Sequence, residues 1–337
     1  MEKITICVTT YNRVPMLKLL VTSILNQTFK NFKVLIANDY LKKKITYEDL
    51  GVTPKKNILI INNKKNLGEN KNMNSLLKKT KSEWLVWLSD DDLIEKNFLM
   101  LLYEGAKNCE NCVASYSDYS FINKSKKKLF LASSYAYYQK LSNYNFLHNY
   151  SKKNIRLIGS YGLIKTKILK AINGIIPVGN SLNISRDNYT GIYPYSDNLM
   201  PIRLSNYGNI SWINSKLLGI RLHKESASYS SADLEKFIVS GRDFVSKIKR
   251  NIKKMKKQKK NNILFYFVYW ISCVELAVLF KQKNFFYFKN IKTCLKNIYN
   301  NMNKFNLNYK IKFIILISLK ILLFPFKYLV VKNDASS

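Results

Sequence analysis

Between residues 4 and 107, apolar runs of strand length alternate with stretches of helical period, the pattern of a sheet whose crossover helices bury both of its faces. Ile4–Thr9 is the first expected strand. Val14–Asn26 then places Leu17, Leu20, Val21, Ile24 and Leu25 on one helical face, with Asn12 positioned to cap it and Pro15 in the first turn. Phe32–Ala37, Lys55–Asn62 and Trp84–Ser89 read as further strands, and Met73–Thr80 and Lys96–Lys107 as helices, so the expected order is βαββαβα. The fold class is α/β, with helices packed on a mainly parallel sheet.

Beyond Val113 the pattern weakens into Tyr-, Ser- and Lys-rich sequence as far as Ile155, which reads as a loop region. A strand over Leu157–Ile164, a turn at Asn173-Gly174, a helix near Asp197–Tyr207 and a strand near Ile210–Leu218 complete a domain expected to end around residue 241. Its halves are residues 1–112 and 113–241. From Gly241 to Pro325 there is no intervening glycine or proline, so the remainder should be helical: a basic linker, 242–262, then a tail, 263–337.

The formal net charge of +35 is concentrated in that tail region: residues 242–337 carry 21 basic and three acidic side chains, against 35 and 18 in residues 1–241. Eight of the twelve residues in Lys249–Lys260 are basic. Ile263–Phe280 follows with Glu275 as its only charge, and a second apolar stretch, Ile311–Val331, is broken by Lys312, Lys320, Pro325 and Lys327. Aromatic-rich apolar helices flanked by lysine suit the plane of an anionic membrane surface better than a span. A helical pair packed on the first domain is the plainer alternative. With 47% hydrophobic residues the chain is no disordered polycation. The start MEKITICVTTYNR has no signal-peptide pattern and the five cysteines make no dense framework, so reduced thiols and a cytoplasmic location are expected. Cys109 and Cys112 lie far in sequence from both histidines, and a structural pair is expected there.

Chemistry concentrates where the strands end. Leu-Val-Trp-Leu-Ser89 runs into Asp90, Asp91 and Asp92, at the carboxyl end of a strand, where open α/β sheets bind ligands. Adjacent carboxylates repel unless a cation or ordered hydrogen bonds offset the charge. Mg2+ and Mn2+ are held by one or two carboxylates together with substrate phosphates. The plainer reading is a helix N-terminus that favours acids. Against it, Thr9-Thr10-Tyr11-Asn12 ends the first strand and Asn38-Asp39 the second. Three strands thus deliver an aromatic ring, hydroxyls and carboxylates to one edge, a set suited to a nucleobase and a ribose.

The stretches ITICVTTYNR, SILNQTFKNFKVLIANDY, NKKNLGENKNMNSLLKKTKSEWLVWLSDDD and SDNLMPIRLSNYGNISWINSKLLGIRLHKES together resemble the family 2 glycosyltransferases of GT-A fold, over roughly residues 3–225. That resemblance implies a Rossmann-like α/β/α sandwich that binds a nucleotide sugar, usually a uridine diphosphate sugar, with Mn2+ or Mg2+. Carried over, Thr9, Tyr11, Arg13, Asp39, Lys71, Asn74, Asp90 and Arg221 would contact the nucleotide sugar, and Asp91, with Asp92 and His223, the metal. Arg221-Leu222-His223 resembles the family's late R-x-H element, with an arginine suited to phosphate oxygens and an imidazole suited to Mn2+. Two departures stand out: Ser89 occupies a slot that is usually acidic, and Met73 precedes Asn74 where an arginine is common, leaving Lys71 as the substitute for a diphosphate contact.

Tyr195-Ser196-Asp197-Asn198-Leu199 takes the place of the family's acid-bearing helix. Inverting transfer needs a carboxylate that removes the acceptor's proton as its oxygen attacks C1 in line with the departing diphosphate. Asp197 is the choice and Asp187 the fallback; a helix cap is the plainer role for Asp197. His148 has no such context and reads as an incidental loop residue. A membrane-facing tail would make a lipid-linked glycan the natural acceptor, in lipooligosaccharide, lipopolysaccharide or capsule synthesis on the cytoplasmic face of the inner membrane. Two rivals are weaker. A specific nucleic-acid binder would interleave basic and aromatic residues in a recognisable module, and none is visible. A nucleotidyltransferase usually has an early glycine-rich loop, whereas residues 1–50 contain no glycine.

Overall fold

The computed structural model describes residues 2–54, 57–123, 137–184, 189–223, 235–281, 288–303 and 305–319, in two compact units that divide between Lys236 and Phe237. In the first, β1 (Ile4–Thr10), α1 (Val14–Leu25), β2 (Phe32–Asn38), β3 (Ile58–Asn62), α2 (Glu69–Lys79), β4 (Trp84–Ser89), β5 (Leu93–Ile94) and α3 (Phe98–Lys107) follow the expected alternation. Parallel pairing joins β3 to β2, β2 to β1 and β1 to β4. Ile4, Ile6 and Val8 point into a core with Leu17, Leu20 and Ile24 of α1 and Phe98, Leu99 and Leu102 of α3. On the opposite face, Thr5 Oγ1 lies 2.7 Å from Ser82 Oγ and Cys7 Sγ 3.6 Å from Thr80 Oγ1, beside the end of α2. Asn12 does not cap α1: it has φ +56°, and Arg13 takes the cap position.

The region read as loop beyond Val113 holds regular structure. β6 (Cys112–Asn123), β7 (Tyr138–Leu141) and α4 (Asn143–Ser151), which carries His148, lie within it. Serine hid β6: Ser115 and Ser117 occupy buried strand positions, where the expected signal is apolar. The strand read over Leu157–Ile164 is a single 3-10 turn, Gly159–Tyr161, followed by β8 (Leu163–Lys165). β8 lies antiparallel between β4 and β6 and joins the two parallel halves of one mixed sheet. After α5 (Thr166–Ala171) and a small hairpin of β9 (Leu182–Ile184) and β10 (Tyr189–Ile192) come α6 (Ser196–Leu204) and β11 (Asn209–Leu222). Asn173 and Gly174 form the expected turn, both with positive φ.

β11 is parallel to β6, antiparallel to β7 at its start, and antiparallel to β5 through Leu218 and Gly219. That last pairing, with Glu95 N bonded to Leu217 O at 3.0 Å, brings the end of β11 alongside residues 90–92.

The second unit is helical, as its composition requires. Among its described residues are α7 (Glu235–Asn251), α8 (Lys257–Lys281), α9 (Phe288–Met302) and α10 (307–319), with the basic run interrupted at 252–256. Phe265 of α8 is fully buried against Phe305, Tyr309 and Phe313, and Phe267 against Phe244. Glu275 is buried as well, accepting a bond from Asn297 Nδ2 at 3.2 Å, while Asn297 Oδ1 accepts from Arg242. The first apolar stretch is therefore an interior helix of its unit over residues 263–271, not one laid out on a surface. The exposed apolar stripe lies on α10 instead: Leu307, Ile311, Ile314, Ile315 and Leu319. Among the described residues no helix is long and apolar enough to cross a membrane.

Candidate active site

Register alone places three strand ends side by side, with Thr9 opposite Ser89 and Thr10 opposite Asn38. Tyr11, Asp39 and Asp90 are the residues that follow, so they share the carboxyl edge of the sheet. A cleft there is lined by Thr9, Thr10, Tyr11, Arg13, Ser89, Asp90 and Asp91, together with Glu69 and Ile192. Tyr11 and Tyr40 form an edge-on aromatic pair with centroids 5.2 Å apart.

The three aspartates have three different environments. Asp90 accepts from Thr10 Oγ1 at 2.7 Å and from the Tyr11 amide at 3.3 Å through Oδ2, and from Arg13 Nη1 at 3.0 Å through Oδ1. Asp91 Oδ2 accepts from the same Arg13 nitrogen at 2.8 Å and from His223 Nε2 at 2.9 Å. Asp92 turns away: Oδ1 accepts from the Arg221 amide at 2.8 Å and Oδ2 from the buried Tyr161 hydroxyl. Burial pushes Asp90 up to about 6, against the pull of Arg13. Burial also opposes ionisation of Asp91, but the His223 hydrogen bond and the Arg13 charge outweigh it and hold Asp91 below the usual carboxylate range. Asp92 is driven well above that range by burial and by the charge of Asp91.

These contacts correct several expected roles. Asp92 is not placed as a metal ligand, because both its oxygens are engaged behind the loop. Arg221, expected on a diphosphate, is 3% exposed, and its Nε donates to the Asp91 carbonyl at 2.7 Å, bracing the acidic loop from within. Asn74 is spent on the turn after α5: Nδ2 donates to Ile175 O at 2.8 Å and Oδ1 accepts from Ile175 N at 3.1 Å. Lys71 is exposed on α2 and is not among the residues that line the cleft. Asp39 is fully buried and accepts from Asn63 Nδ2 and from the Leu67 and Gly68 amides at 2.8–3.0 Å, so it shapes the entry to α2. Gly68 has φ +74° there, a conformation glycine adopts without strain.

Asp197 sits in the first turn of α6, entered through Tyr195 in the left-handed region. Gly159 packs against the Asp197 carbonyl so closely that any Cβ would lie 1.8 Å from its oxygen. Burial raises Asp197 above its ordinary value, with Lys153 pulling the other way; loss of water around its ammonium lowers Lys153 to about 7. Glu69 was not foreseen. It is pushed up to about 7, first by burial and then by the charges of Asp197 and Asp91. Glu69 thus lies within electrostatic reach of both the cleft acids and Asp197. Its signal was the acid directly after Gly68, in a segment read only for Lys71, Met73 and Asn74. The fallback Asp187 lies outside the described residues.

Among the described residues no three Asp, Glu, His or Cys side chains are gathered so as to hold a metal ion, but the donor types at this edge are those a hard divalent cation takes. Two carboxylate oxygens from different residues already converge on one cationic nitrogen, and an imidazole nitrogen touches one of them.

Residues 5–172, about half of the chain, match the model of glycosyl transferase family 2. This chain belongs to that family. An uncharacterized glycosyltransferase of Haemophilus influenzae is 33% identical over 89 residues, 26% of this chain, and the chain spans only 29% of that relative. Among solved structures, S. aureus TarS 1-349 in complex with UDP-GlcNAc superposes with a TM-score of 0.62 at 14% identity, covering 90% of this chain and 81% of that one. The mannosyltransferase PcManGT from Pyrobaculum calidifontis, in complex with GDP-Man and Mn2+, gives 0.52 at 15% identity, covering 98% and 83%. At such identities the likeness is one of fold, and the fold of this family 2 chain is GT-A.

Proposed function

We propose that this chain transfers a sugar from a nucleotide sugar, UDP-linked, to a hydroxyl of a glycan acceptor, with inversion at C1. The observation that carries the reading is the convergence of Asp90 Oδ1 and Asp91 Oδ2 on one point at the carboxyl edge of the sheet, beside Thr9 and Tyr11. Tyr11 with Tyr40 offers aromatic surface to the base, and Thr9 a hydroxyl to base or ribose. Asp91, with Asp90 and His223, would hold Mn2+ or Mg2+, which supplies charge neutralisation to the departing diphosphate. Asp197 is the base. Its raised affinity for a proton strengthens it for taking one from the acceptor hydroxyl as that oxygen attacks C1 and the bond to the diphosphate breaks. The hydroxyl displaces the leaving group directly, so no carboxylate of the chain becomes a nucleophile.

The acceptor is read as lipid-linked, with the enzyme peripheral on the anionic cytoplasmic face of the inner membrane, in surface-glycan synthesis. Support comes from the α10 stripe, where Leu307 is 69% and Ile314 63% exposed in a region whose net charge is strongly positive.

The test is release of nucleoside diphosphate from UDP-, GDP- and dTDP-sugars with Mn2+, Mg2+ or EDTA. One donor should turn over with metal, and Asp91→Ala should lower the rate about 10^3-fold, the scale of losing a principal electrostatic stabiliser. Equal turnover by the variant would overturn the assignment.

A further inference from the structure

We propose that Arg13 is the resident counter-ion of the Asp90–Asp91 pair and must give up that place when a divalent cation binds. The inference rests on the reading that this pair holds such a cation, and it concerns what occupies the pair otherwise.

One nitrogen, Arg13 Nη1, lies 3.0 Å from Asp90 Oδ1 and 2.8 Å from Asp91 Oδ2. A cation held by Asp90 and Asp91 would draw on the same two carboxylates that Arg13 now neutralises. A guanidinium and a divalent ion cannot share the position: both are positive, and the site is screened from water, so their repulsion is strong. The carboxylates cannot stand without either of them. Adjacent buried acids repel, and hydrogen bonds from Thr10, the Tyr11 amide and His223 supply only part of the compensation.

Arg13 is placed to move. It ends the loop before α1, its side chain remains 18% exposed, and it lines the cleft in which a diphosphate would lie. Glu69, which lines the same cleft, also attracts its charge. A diphosphate in the cleft is a better partner still, since a guanidinium binds phosphate oxygens in a fork. Metal and nucleotide would therefore favour one another: Arg13, turned toward a diphosphate, would leave Asp90 and Asp91 free to hold the cation. By linkage the effect is reciprocal.

The experiment titrates Mn2+ into the full chain, with and without UDP, reading free Mn2+ by electron paramagnetic resonance, and records the Tm of each metal-free protein. Wild type should bind Mn2+ weakly alone and at least about tenfold more tightly with UDP, a coupling of ordinary size. Arg13→Gln should bind Mn2+ alone about tenfold more tightly than wild type, lose most of the UDP coupling, and show a lower metal-free Tm that Mn2+ restores. Arg13→Lys keeps one charge without the fork and should fall between the two. Asp91→Ala, which lacks the site, should bind no Mn2+ in either condition. Mn2+ affinity in Arg13→Gln equal to or weaker than wild type, with the UDP coupling intact, would overturn the inference and leave the metal site standing. Absence of Mn2+ binding in wild type and Arg13→Gln alike, with or without UDP, would instead remove the metal reading, and the inference with it.

Discussion

The two units use charge in opposite ways. In the sheet unit, the acids at the strand ends are buried, and each is engaged: Asp90 by Thr10 and Arg13, Asp91 by Arg13 and His223, Asp92 by Tyr161 and the Arg221 amide, Asp39 by the amides entering α2. In the helical unit, basic residues are many and largely exposed, while the interior is aromatic: Phe244, Phe265 and Phe267. A buried charge is tolerated only where geometry supplies its partners, so the first arrangement stores chemistry at fixed points. Exposed lysines fix no geometry and act through their summed field, which suits attraction to a surface.

That contrast predicts separable defects. The largest should come from the base: Asp197→Asn should lower sugar transfer about 10^2- to 10^4-fold with donor affinity and vesicle binding unchanged, checked by transfer kinetics beside nucleotide titration. Near-normal transfer would refute the assigned role. Phe265→Ala should destabilise the helical unit by about 3–5 kcal/mol, the range for emptying an aromatic core position, and should leave UDP binding by the sheet unit in place. Denaturation followed by circular dichroism, with UDP binding measured in parallel, would tell; joint loss would mean that the units are not independent. Replacing Ile314 and Ile315 together with aspartate should weaken binding to phosphatidylglycerol vesicles about tenfold, by losing apolar contact and adding repulsion, while donor hydrolysis persists. Unchanged co-sedimentation would remove α10 from the membrane reading.

The smallest effect concerns Glu69. Its folded pKa of about 7 exceeds the ordinary 4.5, so the folded protein holds the proton more tightly than the unfolded chain. Its contribution to stability is complete below about pH 4.5 and is lost as pH rises through 7. Glu69→Gln does not ionise. The variant should therefore gain in unfolding free energy over wild type between pH 4.5 and pH 8, by on the order of 1 kcal/mol at the upper end, read by denaturant titration at each pH. A gap that is constant with pH would contradict the buried ionisation.

How far the sequence was legible depended on the range of the interaction concerned. The strands β1, β2 and β4 and the helices α1 and α3 were readable because their apolar spacing is local and strong. β6 was not, because Ser115 and Ser117 stand where apolar residues would have marked it. β8 was misjudged because three residues carry little periodicity of their own and gain strand form from β4 and β6 on either side. In the tail, helix was legible from composition, but which apolar stretch is buried was not: that depends on aromatic partners about 40 residues apart, Phe265 with Phe305.

The same division runs through the site. The sequence by itself determined that carboxylates, an aromatic ring and hydroxyls would share one edge, since parallel strands of similar length end together and whatever follows them is co-located. Family resemblance set Asp90 apart from Asp91 and Asp92, but local pattern could not show that Asp92 faces another way, because successive residues on a turn point in different directions. Only the tertiary structure decided that Asp90 and Asp91 meet at Arg13 while Asp92 turns to Tyr161, and that Asn74 and Arg221 brace backbone rather than line the cleft. The physical reason is distance along the chain. His223 reaches Asp91 across 132 residues because Leu218 and Gly219 pair with β5, a contact that no local pattern encodes.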